Sequence, residues 1–145
     1  MTIDNEQLTI SDLRLPDLGE AIALWDSIPE LNFPAAFDTP ERLTRFLNRN
    51  EGLSSAARID GELVGALLCG HDGRRGFFYH IGVKPLLRRQ GIAARMVEYS
   101  FEKLRKEHID TCFLFTSEFN PGAQAFWKAM GFEYAPWVMY QSRAI

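Results

Sequence analysis

Residues 81–93 constrain the fold of this chain more than any other segment, because they predict a strand that passes through a proline turn into a helix. Pro85 ends the strand, since proline donates no ladder hydrogen bond. Gly91 has no Cβ, so an anion can approach the backbone closely at the helix start, where the first N–H groups have no partner. With Arg88 and Arg89 beside them, these N–H groups predict a pyrophosphate-binding turn.

The helix that follows this turn is amphipathic over residues 91–107. Its apolar side chains recur at helical spacing, at Ile92, Met96, Val97, Phe101 and Leu104. Other phosphate-binding motifs do not fit: the chain has neither the Gly-Lys-Ser/Thr of a P-loop nor the Gly-x-Gly-x-x-Gly of a dinucleotide fold. Nucleotide hydrolysis is therefore disfavoured.

Periodicity and turn residues predict alternating strands and helices along the rest of the chain. In sequence order we expect a strand over 8–14, a helix to about 28, a helix from Thr39, strands over 53–59, 63–69 and 77–83, the long helix, a strand over 111–116, a helix over 121–130 and a strand over 132–140. Asp60-Gly61 predicts a tight hairpin. This order predicts an α/β fold with a mixed sheet.

The chain has 145 residues, 46% of them hydrophobic, and a formal net charge of −3. This composition predicts one domain, 1–145, and disfavours nucleic acid as a partner. No apolar run is long enough to span a membrane, and residues 1–6 lack the parts of a signal peptide, so we expect a cytoplasmic protein. Cys69 and Cys112 lie in apolar runs without metal-ligand spacing, so we expect reduced core cysteines and no metal.

A second motif lies at residues 120–132, where Asn120 is a good helix N-cap and Gly131 a good helix stop. Together, in this order and with a strand between them, the two motifs resemble those of the GNAT superfamily of N-acetyltransferases. The resemblance covers nearly the whole chain. It implies an α/β GNAT (acyl-CoA N-acyltransferase) fold, with a mixed six- to seven-stranded sheet flanked by helices.

The resemblance also implies transfer of an acetyl group from acetyl-CoA to a primary amine on a small molecule, a peptide terminus or a lysine. The amine would attack the thioester directly in a ternary complex. The residues implied in cofactor binding are Ile81 and Val83 for the pantetheine arm, Arg88, Arg89, Gln90, Gly91, Ile92 and Ala93 for the pyrophosphate, Asn120 for the pantetheine or acyl region, and Phe126 and Trp127 for the thiol end.

The chain departs from the family at Trp127, where a tyrosine commonly protonates the leaving thiolate. An indole N–H is not a usable acid near neutral pH, although a thiol is already a tolerable leaving group. Tyr134 or Tyr140 of the expected last strand would be alternative proton donors. Trp127 also keeps open a rival function, that of an acyl-CoA-binding sensor or catalytically weak relative.

An amine acceptor requires a base, because an alkylamine is neutral in only about one molecule in 2,500 at pH 7. The candidates are His80, Glu118 and, through its hydroxyl, Tyr79. Because adjacent strand residues point to opposite faces, the pleat decides which of Tyr79 and His80 faces the cleft.

The loop after the first helix usually covers the acceptor pocket in this fold. Here it combines aromatic residues with carboxylates, namely Phe33, Phe37, Asp26, Glu30 and Asp38. These residues suit a small cationic or aromatic amine, or they only pack the helices together. The aromatic residues Trp137 and Tyr140 near the C-terminus are compatible with a homodimer.

Overall fold

The computed structural model of the chain describes residues 7–145 and has an α/β architecture. The strands are β1 (Leu8–Asp12), β2 (Ser55–Ile59), β3 (Glu62–His71), β4 (Gly76–Val83) and β5 (Cys112–Leu114). The helices are α1 (Leu18–Asp26), α2 (Pro40–Arg49), α3 (Ile92–Lys106) and α4 (Pro121–Ala129). Residues 1–6, on which the expectation about a signal peptide rests, lie outside the described residues. None of the helices in the described range has the length and apolarity that crossing a membrane requires.

The sheet has the order β1-β2-β3-β4-β5, and its mixed character is confirmed. The first three pairings are antiparallel, whereas β4 and β5 are parallel. Asp60 and Gly61 make the predicted hairpin, with φ values of 50° and 82° that match the right-handed twist of the strands they join. Helix α3 makes the crossover that a parallel pair requires.

Helices cover both faces of the sheet, and two glycines show how closely they pack. A Cβ on Gly82 of β4 would lie 2.9 Å from Ile28 Cδ1, at the end of α1. A Cβ on Gly65 of β3 would lie 2.9 Å from Met96 Cε of α3. Helix α1 therefore packs against one face and α3 against the other. A cluster of buried residues that includes Leu18, Leu24, Leu43 and Leu68 packs around the fully buried Trp25 of α1.

Buried serine hydroxyls fix α3 to the sheet. Ser100 donates to the Leu53 carbonyl at 2.7 Å, and Ser55 donates to the Met96 carbonyl at 3.1 Å. The two hydroxyl oxygens are 3.2 Å apart, and both residues are fully buried. Since buried polar groups are costly unless paired, this network specifies where α3 lies against β2. It thereby also fixes the turn at which α3 begins.

The expected last strand and the strand count are wrong for the described residues, which form five strands rather than six or seven. Residues 132–140 form no ladder. Phe132 N–H caps α4 by donating to the Trp127 carbonyl. Trp137 N–H donates to the Ala135 carbonyl, within the same segment. Pro136, at its middle, has no N–H to give. The apolar side chains that suggested a strand are instead exposed.

The chain divides into two compact units, the first ending at Phe115 and the second spanning Thr116–Ile145. The whole sheet and helices α1 to α3 belong to the first unit, and α4 belongs to the second. The organisation of the chain as a single domain stays a prediction.

We predict that Ser100→Ala lowers the free energy of unfolding by about 1–3 kcal/mol, because the buried Leu53 carbonyl would lose its hydroxyl donor. Ser27→Ala is the matched control. The Ser27 hydroxyl also donates to a carbonyl, that of Leu24 at 2.7 Å, but Ser27 is exposed and water can replace it. The control should change stability by at most about 0.5 kcal/mol. Urea denaturation checks both values, and equal losses would contradict the role of the buried network.

Candidate active site

A β-bulge in β4 brings two candidate catalytic side chains to the same face of the sheet. Leu68 of β3 pairs with His80 and Cys69 pairs with Phe78, so Tyr79 is the extra residue. The Tyr79 ring lies 5.3 Å from that of Phe46 in α2, while the His80 ring lies 5.3 Å from that of Trp25 in α1. The alternation expected from a regular pleat is therefore interrupted here, and both side chains point to the α1–α2 side.

Among the residues that the structure describes, none pairs as a strand with the outer edge of β4 beyond Phe78. The pairing of β4 with β5 ends at Phe78 and Leu114. Lys84 N–H donates to the Val64 carbonyl of β3 at 2.9 Å. Because successive N–H groups of a strand point to opposite edges, those of Ile81 and Val83 point away from β3, towards the side on which β5 has ended. An extended ligand can add to this edge through hydrogen bonds.

The open edge leads into the turn that precedes α3. Arg89 and Gly91 have positive φ values, 63° and 82°, and turns of this kind can direct successive N–H groups into one concavity. No atom of residues 7–145 lies within 4 Å of the position that a Cβ on Gly91 would occupy. Gly91 provides no side-chain cap, and the first turn of α3 contains no acidic residue. The N–H groups of Ile92 and Ala93 at the positive end of the helix dipole are thus available to an anion.

The basic side chains beside the turn are exposed. Arg88 has a side chain that is 43% exposed, and its guanidinium lies 3.9 Å from the Glu30 carboxylate. Leu87 and Ile92 are buried, anchoring the turn to the core on either side of Arg88, Arg89, Gln90 and Gly91. Of the residues assigned to the pyrophosphate from the sequence, Arg88, Arg89 and Gly91 are exposed, Gln90 and Ala93 are half-buried, and Ile92 is buried.

His80 is held in an aromatic enclosure. Its ring centroid lies 5.3 Å from that of Trp25 and 5.1 Å from that of Phe33. Its Nε2 lies 2.7 Å from Asp38 Oδ2, and the His80 side chain is only 11% exposed. The arrangement provides a ring nitrogen in a fixed orientation, next along the chain to the Ile81 N–H.

Tyr79 has a different environment from His80. Its partial burial raises the pKa of its hydroxyl above the ordinary value, and the negative charges of Asp72 and Asp38 act in the same direction. The hydroxyl therefore stays protonated at neutral pH, which suits a proton donor better than a base.

The remaining candidates lie in the second unit. Asn120 Oδ1 accepts from Ala123 N–H at 3.0 Å, which confirms the predicted N-cap of α4. Gly131 has a φ of 92° and ends the helix as predicted. Trp127 is buried, in edge-to-face contact with the rings of Phe126 and Phe132.

Three candidates of this unit have exposed side chains, namely Glu118, Tyr134 and Tyr140, and the two tyrosines are each 92% exposed. The catalytic and cofactor-binding assignments of these residues, like those in the first unit, stay predictions.

The cysteines do not have the character of nucleophiles. Burial raises the pKa of the Cys112 thiol to about 12, and burial also raises the pKa of Cys69. Both thiols therefore stay protonated at neutral pH. Within the described residues, no three His, Cys, Asp or Glu side chains are grouped so as to hold a metal ion.

Sequence analysis missed the pairing of Asp38 with His80 and that of Glu30 with Arg88. The first pair is separated by 42 positions along the chain, and no local pattern connects the two residues. The only available signal was the unusual combination of carboxylates and aromatic residues in the loop between α1 and α2.

Comparisons with known proteins agree with this geometry. The sequence profile of the Acetyltransferase (GNAT) family matches residues 21–132. The chain is similar in structure to an aminoglycoside acetyltransferase, meta-AAC0020, from an uncultured soil metagenomic sample, solved with sisomicin (TM-score 0.80, 18% identity, 97% of this chain and 98% of that chain covered).

Two further structures are similar over most of their length. One is the PaiA N-acetyltransferase from Thermoplasma acidophilum in complex with coenzyme A, with a TM-score of 0.74 and 17% identity over 87% of this chain and 89% of that chain. The other is Naa50 from Arabidopsis thaliana in complex with the bisubstrate analogue CoA-Ac-MVNAL, with a TM-score of 0.69 and 18% identity over 89% of this chain and 85% of that chain. At these identities the likeness shows the fold alone. The matched profile includes strands β2 to β5, the edge of β4 beyond Phe78 and the uncapped start of α3, and it shows that this chain belongs to the Acetyltransferase (GNAT) family.

Proposed function

We propose that the protein is an acetyl-CoA-dependent N-acetyltransferase that acts on a primary amine. The observation that carries the proposal is the continuity of the open β4 edge with the uncapped start of α3. The edge offers hydrogen bonds to an extended amide-containing arm, and the helix start offers N–H groups to a pyrophosphate. Coenzyme A has these two parts in this order, and a structurally similar N-acetyltransferase was solved with coenzyme A.

The residues present fit this co-substrate. Ile81 and Val83 would pair with the pantetheine arm through their backbone, and the turn from Arg88 to Ala93 would hold the pyrophosphate. Gly91 leaves the space in front of the turn open. By family resemblance, Asn120, Phe126 and Trp127 would contribute near the acyl end.

Acetyl-CoA supplies an activated acetyl group, which the amine would take directly while both substrates are bound. The N–H of Val83 would donate to the carbonyl oxygen as negative charge develops there. The high pKa values of both cysteines argue against an acyl-thiol enzyme. One amine proton would pass to a base and then to water, and the other would leave on the thiol of coenzyme A.

Among the candidate bases, His80 is favoured. It lies on β4 beside the proposed carbonyl-binding edge, and its ring is fixed by three neighbours. Tyr79, with its raised pKa, is better suited to return a proton to the thiolate, a task that Trp127 cannot perform. Glu118 and Tyr134 are exposed and remain alternatives for the same two roles.

The second candidate function is an acyl-CoA-responsive sensor, which Trp127 at the usual tyrosine position favours. A sensor would bind the acyl-CoA without turning it over. The acceptor classes named for similar structures, an aminoglycoside and a peptide-containing analogue, define the amines with which the two functions are best distinguished.

We predict that Gly91→Glu abolishes acetyl-CoA binding, because it places a carboxylate in front of the N–H groups that would hold the pyrophosphate. Gly52→Glu is the matched control, since Gly52 has the same φ of 82° and equally open space around its Cβ position. Both variants place a glutamate at the same positive φ and so carry the same backbone strain, but only Gly91→Glu changes the turn before α3. Calorimetric titration checks the affinity. Failure of the folded wild type to bind would reject both candidate functions.

We also predict that the wild type releases free coenzyme A from acetyl-CoA only when a suitable amine is present. A panel containing aminoglycosides, peptides with free N-termini, lysine peptides and small aromatic amines would be screened by a thiol reagent. Mass spectrometry of the product would show a gain of one acetyl group on the amine. Tight binding with no release across the whole panel would favour the sensor.

A further inference from the structure

The Asp38–His80 pair joins the loop between α1 and α2 to the central part of the sheet. His80 Nε2 lies 2.7 Å from Asp38 Oδ2, and the two side chains are 11% and 18% exposed. A hydrogen bond at this distance between partly buried groups of opposite charge type is among the stronger ones in proteins. The exposed fractions set this pair apart from the surface ion pairs of the chain, such as Arg74 with Asp72 at 69% and 52%.

Both members of the pair are held in place by other contacts. The indole of Trp25, against which the His80 ring packs, donates to the Ala66 carbonyl at 3.1 Å. Asp38 N–H donates to the Pro34 carbonyl at 2.8 Å. Thr39, the next residue, caps α2 by accepting from Arg42 N–H. The carboxylate is therefore positioned by the loop and by α2, while the imidazole is positioned by α1 and β4.

This geometry selects one tautomer of the neutral imidazole. An ionised carboxylate accepts hydrogen bonds but donates none, so Nε2 must carry the hydrogen. The lone pair then lies on Nδ1, for which the described residues provide no hydrogen-bond partner. Asp38 is the titratable side chain in contact with His80, since Trp25 and Phe33 do not titrate and Tyr79 points to Phe46.

We propose that Asp38 is a positioning residue that keeps the lone pair of His80 on Nδ1, ready to accept a proton from the acceptor amine. The proposal rests on the proposed acetyltransferase function. As the N–H bond of the ammonium group breaks, the proton bonds to Nδ1 and is later released to water. Asp38 stays ionised and stabilises the imidazolium through Nε2–H. In this scheme the loop that carries Asp38 also determines whether His80 is in the tautomer whose Nδ1 can accept a proton.

Asp38→Asn tests the proposal, because an amide of the same shape can donate to Nε2 and so favour the other tautomer. We expect kcat/KM at pH 7 to fall about 10- to 100-fold in this variant and about 100- to 1,000-fold in His80→Gln. The KM for acetyl-CoA and its calorimetric affinity should stay within twofold of wild type. Asp60→Asn in the exposed hairpin is the matched control and should keep full activity.

The pH profile separates positioning from a merely structural role. If His80 removes the proton, a variant that lacks this base depends on amine that is already neutral, and the neutral fraction rises about tenfold per pH unit below the pKa of the amine. The loss of kcat/KM in Asp38→Asn and in His80→Gln should therefore shrink about tenfold per pH unit as the pH approaches that pKa. The proposal would be overturned if the loss of kcat/KM were the same at every pH, or if Asp38→Asn had the same kcat as the wild type.

Nitrogen NMR of the imidazole provides a test that needs no turnover. The neutral form of His80, assigned by comparison with His80→Gln, should be protonated at Nε2 in the wild type and lose this preference in Asp38→Asn. Protonation at Nδ1 in the wild type would overturn the proposal. Failure of the wild type to bind acetyl-CoA would instead reject the proposed function. The failure of this proposal and the failure of the proposed function can therefore be distinguished.

Discussion

The separation of β4 from β5 after Phe78 is the constraint on which the rest of the candidate site depends. A parallel pair would otherwise occupy the outward N–H groups of Ile81 and Val83. The ladder between the two strands ends after three residue pairs, and directly beyond it the bulge at Tyr79 shifts the register of β4. Beyond Phe78, β4 is thus an edge strand in the described part of the chain, and an extended ligand can pair with its outward N–H groups. The site therefore follows from backbone geometry before any side chain is considered.

Two glycines support this geometry for opposite reasons. Gly82 is required because Ile28, Leu31 and Trp25 occupy the space that a side chain would need. Its bare backbone lets the end of α1 and the following loop lie against β4, beside His80. Gly91 is favoured because its φ of 82° suits glycine, and no described atom lies within 4 Å of the position that a Cβ would occupy there. Close packing at Gly82 brings the loop after α1 against β4. The open space at Gly91 leaves the turn before α3 accessible at the end of the same strand.

The parts of the fold that sequence could predict are those governed by local rules. The periodicity of α3, the Asp60-Gly61 hairpin and the caps at Thr39 and Asn120 each depend on residues within a few positions. The bulge at Tyr79 and the contact between Asp38 and His80 depend on strand register and on packing across 42 positions, which no local pattern encodes. The expected last strand failed for a related reason. A run of apolar and aromatic residues describes only side chains, whereas a strand also requires a partner strand and backbone donors, and Pro136 removes one donor.

The charge distribution explains how an acidic protein can form an anion site. The net charge is −3, so long-range attraction does not favour a polyanionic ligand. The charges within helix α3 follow a different pattern from the net charge. Its last turn contains Lys103, Arg105 and Lys106, and its first turn contains no carboxylate. No carboxylate of the first turn therefore neutralises the positive end of the α3 dipole, while Glu30 partly offsets the charge of Arg88 nearby. Under the proposed function, recognition at this turn would depend more on the direction of the backbone N–H groups than on net attraction, and this would favour a ligand whose shape follows the turn over other anions.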